Sequence, residues 1–329
     1  MHGRKALPAN LRGPSREFPK LIRENKVGEA TFLRGDVLAA LEHVRPKSCD
    51  LIVSSPPYNI RKDYERDNKF TFDEYIAWQD TIIAAVIPKL KKSGSVCWQV
   101  GNYVKDGESF PLDIFLYDSF KSRGLKLRNR IIWKFNFGLN SSTKLSGRYE
   151  TVLWFTKSDD YKFNLDPIRI TQIYPGKRHP QEKKGRSGLP SGNPLGKNPG
   201  DVWEFSAEAH FKESLAWDIP NVKANHPEKT FHPCQFPIEL VERCVLAFTK
   251  VGDTVLDPFV GTGTSVIAAI KHGRIGVGID KDVSYLKLCK ERVKAFRRGK
   301  LGIRPIGRPV HRPKPTDKVA MRPLEWATT

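Results

Sequence analysis

Thr254-Val255-Leu256-Asp257-Pro258-Phe259-Val260-Gly261-Thr262-Gly263-Thr264 reads as a short apolar strand, a turn with two glycines and the opening of a helix that runs to Lys271. Ile275-Gly276-Val277-Gly278-Ile279 follows as a second strand and ends in the acidic Asp280. This is one half of a nucleotide-type βαβ fold. Glycines let the backbone turn sharply and approach a ligand, and a carboxylate ending the second strand can accept both hydroxyl protons of a ribose. The turn is not a phosphate cradle: it lacks the lysine of a P-loop, and the third position of a dinucleotide GxGxxG is Val266.

The same rhythm extends upstream. Ala30-Thr31-Phe32-Leu33 is a strand leading to Gly35-Asp36, a helix spans Val37 to Val44, and Asp50-Leu51-Ile52-Val53 runs straight into Ser54-Ser55-Pro56-Pro57-Tyr58-Asn59. An apolar run without alternation suits a strand buried on both faces of a parallel sheet. Thr71, with Glu74 three residues on, starts a helix reaching Leu90 and ended by Lys91-Lys92-Ser93-Gly94. A strand over Ser95 to Val100, a helix around Pro111 to Ser122, and strands at Arg130 to Lys134 and Glu150 to Phe155 follow. Downstream, helices span Phe236 to Leu246 and Val283 to Phe296, flanking the βαβ half. This alternation predicts an α/β fold with a doubly wound, mostly parallel, Rossmann-like sheet.

Between residues 164 and 225 no strand or helix period persists, and Pro, Gly, Asn and Lys dominate. So long an irregular stretch within a compact protein is either functional or disordered. Its basic charge and marginal aromatics, among them Tyr161, Tyr174, Trp203 and Trp217, favour a nucleic-acid-facing insertion over a linker. The net charge of +20 is unevenly placed: Lys and Arg outnumber acids by seven to two in residues 1–27, six to one in 171–200 and nine to two in 297–329. A neutral body with basic extensions suits a polyanion, because cations near phosphates release condensed counterions, although basic tails also serve solubility alone. The five cysteines include no CxxC pair, so neither a disulfide framework nor a metal site is expected. No run is long and apolar enough for a membrane span and the N-terminus has no secretory signal, which reads as a soluble, cytoplasmic protein associated with nucleoid DNA.

Ser54-Ser55-Pro56-Pro57-Tyr58-Asn59 resembles the catalytic loop of DNA amino-methyltransferases, and Asp257-Pro258-Phe259-Val260-Gly261-Thr262-Gly263 resembles their S-adenosylmethionine loop. The order, catalytic loop first, resembles the permuted beta group of that family. The resemblance covers residues 28–297 apart from the insertion. It implies a basic extension over 1–27, a catalytic half over 28–163, a target-recognition insertion over 164–225, a cofactor-binding half over 226–297 and a basic, extended or disordered Pro-rich tail over 298–329. It further implies double-stranded DNA as partner and a restriction-modification setting, with a cognate endonuclease and a homodimer also compatible.

The chemistry implied is attack by an exocyclic base amine on a sulfonium methyl. That nitrogen is a poor nucleophile because its lone pair is delocalised into the ring. Acceptors aimed at the amine protons, with in-line placement, make it reactive. The Ser55 hydroxyl and Pro56 carbonyl suit this role, Pro56 and Pro57 stiffen the loop, and Tyr58 offers a face for a base turned out of the duplex. Read alone, the loop is also an ordinary turn closing a strand. By the same resemblance the cofactor contacts are Asp36, near the adenine, His232 and Gln235, in the segment closing over the methionine end, Asp257, near the amino group, and Phe259, Gly261, Gly263, Thr264 and Asp280. Lys177, Arg178, Lys183, Lys184 and Arg186 are the candidate DNA-binding residues. Ser at the first catalytic position is the pattern of cytosine N4 methylation, with adenine N6 as the alternative. Methylation of RNA or protein, or a catalytically silent DNA-binding subunit, are the rival readings. Pro233-Cys234-Gln235 imitates the thiolate motif of carbon-5 cytosine methyltransferases, but it precedes the cofactor loop, the wrong order for that chemistry.

Overall fold

The computed structural model describes residues 28–59, 70–135, 140–172, 174–180, 185–203, 219–220, 222 and 226–308. In chain order the elements are β1 (Ala30–Arg34), α1 (Val37–Glu42), β2 (Cys49–Ser54), α2 (Phe72–Val86), β3 (Leu90–Val100), β4 (Asn102–Lys105), β5 (Glu108–Pro111), α3 (Leu112–Lys121), β6 (Lys126–Lys134), β7 (Tyr149–Thr156), β8 (Val202–Trp203), α4 (Ile238–Phe248), β9 (Thr254–Asp257), α5 (Thr264–Lys271), β10 (Ile275–Asp280) and α6 (Val283–Arg297). Eight strands form one sheet in the order β1-β10-β9-β2-β3-β7-β6-β8. The first five run parallel, and β7 is antiparallel to both β3 and β6.

The two sheet faces carry separate apolar layers. Leu51 and Val53 of β2 pack with α4, α5 and α6, whereas Ile52 packs with α1, α2 and α3. Every residue of β2 is buried, which is why its sequence shows no alternation. Tight crossings are set by glycine: a Cβ on Gly278 would lie 2.5 Å from Val260, and one on Gly276 would lie 2.8 Å from Val266.

Several boundaries differ from the sequence expectation for identifiable reasons. Pro88, which cannot donate a backbone hydrogen bond, sits just past the end of α2, and the strand begins at Leu90, so Lys91 to Gly94 lie within β3 and do not cap a helix. Residues 102–110, to which the sequence assigns no element, form with Pro111 a hairpin whose turn is Asp106-Gly107, both at positive φ, as an Asp-Gly hairpin turn requires, and the helix expected from Pro111 starts at Leu112. The insertion is not wholly irregular either. β8 pairs with β6, Ile168 and Ile219 are buried in the core, and the Trp133 indole donates to the Ile219 carbonyl at 2.8 Å. The expected loose tail is docked over residues 300–308, with Arg304 buried; residues 1–27 and 309–329 lie outside the described residues. Among the described residues no helix is long and apolar enough to cross a membrane.

Candidate active site

From β9 the chain proceeds through α5 to β10 on one side, and from β2 through α2 to β3 on the other, so strand order reverses between β9 and β2. A ligand crevice in an open α/β sheet forms at this reversal, beyond the carboxyl ends of the strands. Two segments distant in sequence leave the sheet there side by side, because Leu51 registers with Val255 and Ile52 with Leu256.

The loop after β2 is braced from beneath. Ser54 Oγ donates to Asp257 Oδ1 at 2.6 Å. The Pro57 carbonyl accepts from the Tyr75 hydroxyl at 2.9 Å and Gln79 Nε2 at 3.4 Å, both from buried positions on α2. Asn59, at φ 59°, donates its amide to the Phe70 carbonyl at 3.0 Å. The Pro57 carbonyl is thus consumed, whereas no hydrogen bond from a described residue reaches the Pro56 carbonyl. Ser55 Oγ lies 3.0 Å from the Tyr58 hydroxyl, and both side chains are half-buried at the crevice. The polar Gln79 on an apolar helix face was the available sequence signal for the bracing from α2.

The loop after β9 turns on Gly261 (φ +49°) and Gly263 (φ +79°), conformations that favour glycine. A Cβ on Gly261 would stand 3.4 Å from His232 Nε2, and one on Gly263 would stand 3.1 Å from Cys289 Sγ. Asp280 accepts the Gly261 and Asp282 backbone N–H groups at 3.0 and 2.9 Å, and burial pushes its carboxyl pKa up to about 6. Asp36 lies at the same sheet edge, exposed, and caps α1 by accepting from the Leu38 N–H at 2.9 Å, while the Gly35 N–H reaches the Asp280 carbonyl. The Phe259 ring stands 5.7 Å from the Trp78 indole and walls the crevice.

His232 is buried against this turn. Its Nδ1 accepts from the Cys234 N–H at 3.1 Å, which assigns the proton of the neutral ring to Nε2, the atom facing Gly261. Burial pushes its pKa down to about 4, so it stays neutral at pH 7. Three other expected contacts have internal partners. Asp257 is fully buried, accepting from Ser54, Ser265 and the Phe259 N–H, and burial raises its pKa to about 6. Gln235 accepts from Thr230 Oγ1 and donates to the Glu228 carbonyl, each at 2.8 Å, and Thr264 Oγ1 lies 3.1 Å from Thr262 Oγ1. Cys234 is exposed on the same segment.

In the insertion, Lys177, Arg178 and Arg186 are exposed, and Arg178 donates to the Gly188 carbonyl at 2.6 Å, tying 174–180 to 185–191. Lys183 and Lys184 lie outside the described residues. A cleft of about 390 Å³ is lined by Arg169, Gln172, Lys177, Asn193 and Lys197.

Residues 49–291, from β2 through most of α6, match the DNA methylase family. The chain belongs to that family. The methylase is 44% identical over 256 residues to the type II methyltransferase M.BglII of Bacillus subtilis, covering 78% of this chain and 66% of that protein. It is 32% identical over 295 residues to the type II methyltransferase M.ScaI of Streptomyces caespitosus, covering 88% of this chain and 89% of that one. The DNA adenine methyltransferase YhdJ of Escherichia coli K12 is 30% identical over 80% of the methylase and 82% of its own length. Among solved structures, a candidate DNA modification methylase of Thermus thermophilus in complex with S-adenosyl-L-methionine superposes with a TM-score of 0.51 at 25% identity, covering 84% of this chain and 97% of that one. The cytosine-N4-specific PvuII DNA methyltransferase superposes with a TM-score of 0.59 over 84% of this chain and 96% of that one, and at 18% identity it shows the shared fold. The methylase site suits such a ligand: each Asp280 carboxylate oxygen accepts one backbone N–H and keeps a lone pair that can take a ribose hydroxyl.

Proposed function

We propose that the methylase transfers a methyl group from S-adenosylmethionine to the exocyclic amine of a flipped DNA base within a specific sequence, with cytosine N4 as the target atom. The observation that carries this reading is the Ser55 hydroxyl 3.0 Å from the Tyr58 hydroxyl, on a loop fixed beside the Gly261 turn. When the Tyr58 hydroxyl donates to Ser55 Oγ, a serine lone pair remains for an amine proton, and the Pro56 carbonyl accepts the second. The Tyr58 ring stacks on the flipped base, and the bracing by Tyr75 and Gln79 keeps the acceptors in line. The cofactor supplies an electrophilic methyl on a positively charged sulfur. Asp280 binds the ribose hydroxyls, the Gly261 turn and Phe259 enclose the nucleoside, Asp36 faces the adenine and His232 covers the methionine end. Asp257, Gln235, Gly263 and Thr264 act by holding the loop. Lys177, Arg178 and Arg186, with Lys183 and Lys184, face the DNA backbone.

A cytosine amine is borne on a smaller ring than adenine's, and the neutral serine hydroxyl stands where an Asn or Asp acceptor marks the adenine pattern. Adenine N6 is the second reading, favoured by the similarity to YhdJ over most of both chains. Similarity to two type II methyltransferases supports a restriction-modification setting with a partner endonuclease. The test is mass spectrometry of nucleosides from treated duplex DNA, compared with RNA and protein acceptors. N4-methylcytosine is expected, an N6-methyladenine product would move the target atom, and no DNA product would overturn the reading. Ser55→Ala and Tyr58→Ala should each slow transfer on the order of a hundredfold with cofactor affinity retained.

A further inference from the structure

The Phe231 ring is 66% exposed, yet it stacks on Tyr285, with centroids 5.9 Å apart and planes 22° from parallel. The ring of the next residue, buried His232, lies 4.6 Å from the same tyrosine. Tyr285 is held at the start of α6, where its N–H and that of Ser284 reach the Asp282 carboxylate at 3.4 and 2.7 Å. The Asp282 N–H donates to the Asp280 carboxylate, which also takes the Gly261 N–H, and a Cβ on Gly261 would stand 3.4 Å from His232 Nε2. The contacts thus close a circuit, from Asp280 through Asp282, Tyr285 and His232 to Gly261 and back. His232 is the one member from outside the stretch 261–285, and it rests on Tyr285. The far end of its segment is anchored by buried Glu228, which accepts the Ile238 and Arg304 N–H groups. At the Tyr285 end the tie is aromatic, and such a pair is worth a factor of about two to ten in an equilibrium. That is too little to fix a fold and enough to set how long a ligand stays bound.

We propose that Tyr285 and Phe231 position His232 over the cofactor and thereby set the residence time of S-adenosylmethionine. This rests on the reading of His232 as the cover of the methionine end. Both are positioning residues, acting on the cofactor through His232. Because Phe231 and His232 are consecutive and pack on one tyrosine, the peptide that joins them cannot lift from the Gly261 turn without parting a ring contact. The exposed Phe231 ring is held lightly, so the stack can part and re-form each time spent cofactor is exchanged.

The test follows release of tritiated S-adenosylmethionine from the full-length protein, chased with unlabelled cofactor. Phe231→Ala should release it about two- to tenfold faster, with the association rate little changed. Phe231→Tyr, which keeps the stacking ring, should restore the wild-type rate. Tyr285→Ala, which removes the support of both rings, should release it faster still; Phe231→Ala alters an exposed side chain and keeps the test decisive should Tyr285→Ala fail to fold. A second readout needs no cofactor. The Cys234 N–H donates to His232 Nδ1 and should exchange faster with solvent in Phe231→Ala, whereas the Ile238 N–H, held by Glu228, should not. Wild-type release in Phe231→Ala, or equal acceleration in Phe231→Tyr, overturns the proposal. If His232→Ala releases cofactor faster while Phe231→Ala does not, this inference alone fails; if His232→Ala also releases it like wild type, the proposed role of His232 fails with it.

Discussion

Ser54 and Asp257, 203 residues apart in the chain, meet across the β2–β9 boundary through a 2.6 Å hydrogen bond between two fully buried side chains. The bond joins the base of the catalytic loop to the base of the glycine turn, so neither can shift without the other. Ser54→Ala leaves Asp257 Oδ1 with only the Phe259 N–H. It should cost about 0.5–1.5 kcal/mol in urea unfolding, the worth of one hydrogen bond lost from a buried acceptor that keeps another. It should also raise the KM for cofactor more than Thr81→Ala, a control on the exposed side of α2 whose hydroxyl only bonds back to Ala77. Equal stability of both variants would show that the tie carries no load.

The strands and helices of the sheet and both loops were legible because each depends on local pattern: unbroken apolar strands, a Thr71–Glu74 capping box, and glycines where φ is positive. The supports were not. Tyr75 and Gln79 sit on α2, and only the tertiary fold turns them beneath Pro57. Phe231 and Tyr285 read as unrelated aromatics until the fold stacks their rings. The Asp106-Gly107 turn carries a local hairpin signal, the Asp-Gly pair. Arg304 lay in a stretch whose prolines and charge suggested a loose tail, and its buried acidic partners are distant in sequence.

The Asp280 carboxyl should make cofactor binding pH-dependent. Burial raises its pKa from an ordinary 3.8 to about 6. The protonated form therefore favours folding: that contribution is complete below about 4 and is lost as pH rises through about 6. Binding runs the other way, because ribose hydroxyls need an ionised acceptor. S-Adenosylmethionine affinity measured by calorimetry should fall as pH drops through about 6. In Asp280→Asn it should be weak and lose that pH step; a step retained in the variant would assign the titration to another group.

Arg304 should act on the cofactor site from a distance. Its guanidinium pairs with Glu239 at 2.5 Å, and its backbone N–H reaches Glu228 at 3.1 Å. Glu228 in turn caps α4 through the Ile238 N–H at 2.8 Å, and its carbonyl holds Gln235. Residues 301–308 thus strap down the segment that carries His232. Arg304→Ala strips one partner from a buried charge and should cost about 3 kcal/mol or more in unfolding free energy. It should also weaken cofactor binding, whereas binding that stays at the wild-type value would limit the strap to a stabilising role.

The insertion offers a salt-dependence test. Lys177 and Arg186 are exposed, and Lys177 lines the cleft shared with Arg169 and Lys197. Cations held against phosphates release condensed counterions, so log affinity should fall linearly with log salt at about 0.9 per neutralised phosphate. Lys177→Ala with Arg186→Ala should therefore reduce that slope by up to about two units for duplex DNA, uniformly across sequences. Arg178 is different: its guanidinium also closes the loop onto Gly188, so Arg178→Lys keeps the charge but loses the planar donor set. It should leave the slope nearly intact and loosen the loop, visible as faster amide exchange at His179, whose N–H donates to the Leu189 carbonyl at 2.9 Å, and at Gly188, whose N–H donates to the His179 carbonyl at 3.2 Å. An unchanged slope in the double variant would make this stretch a solvated loop and move the DNA contacts elsewhere.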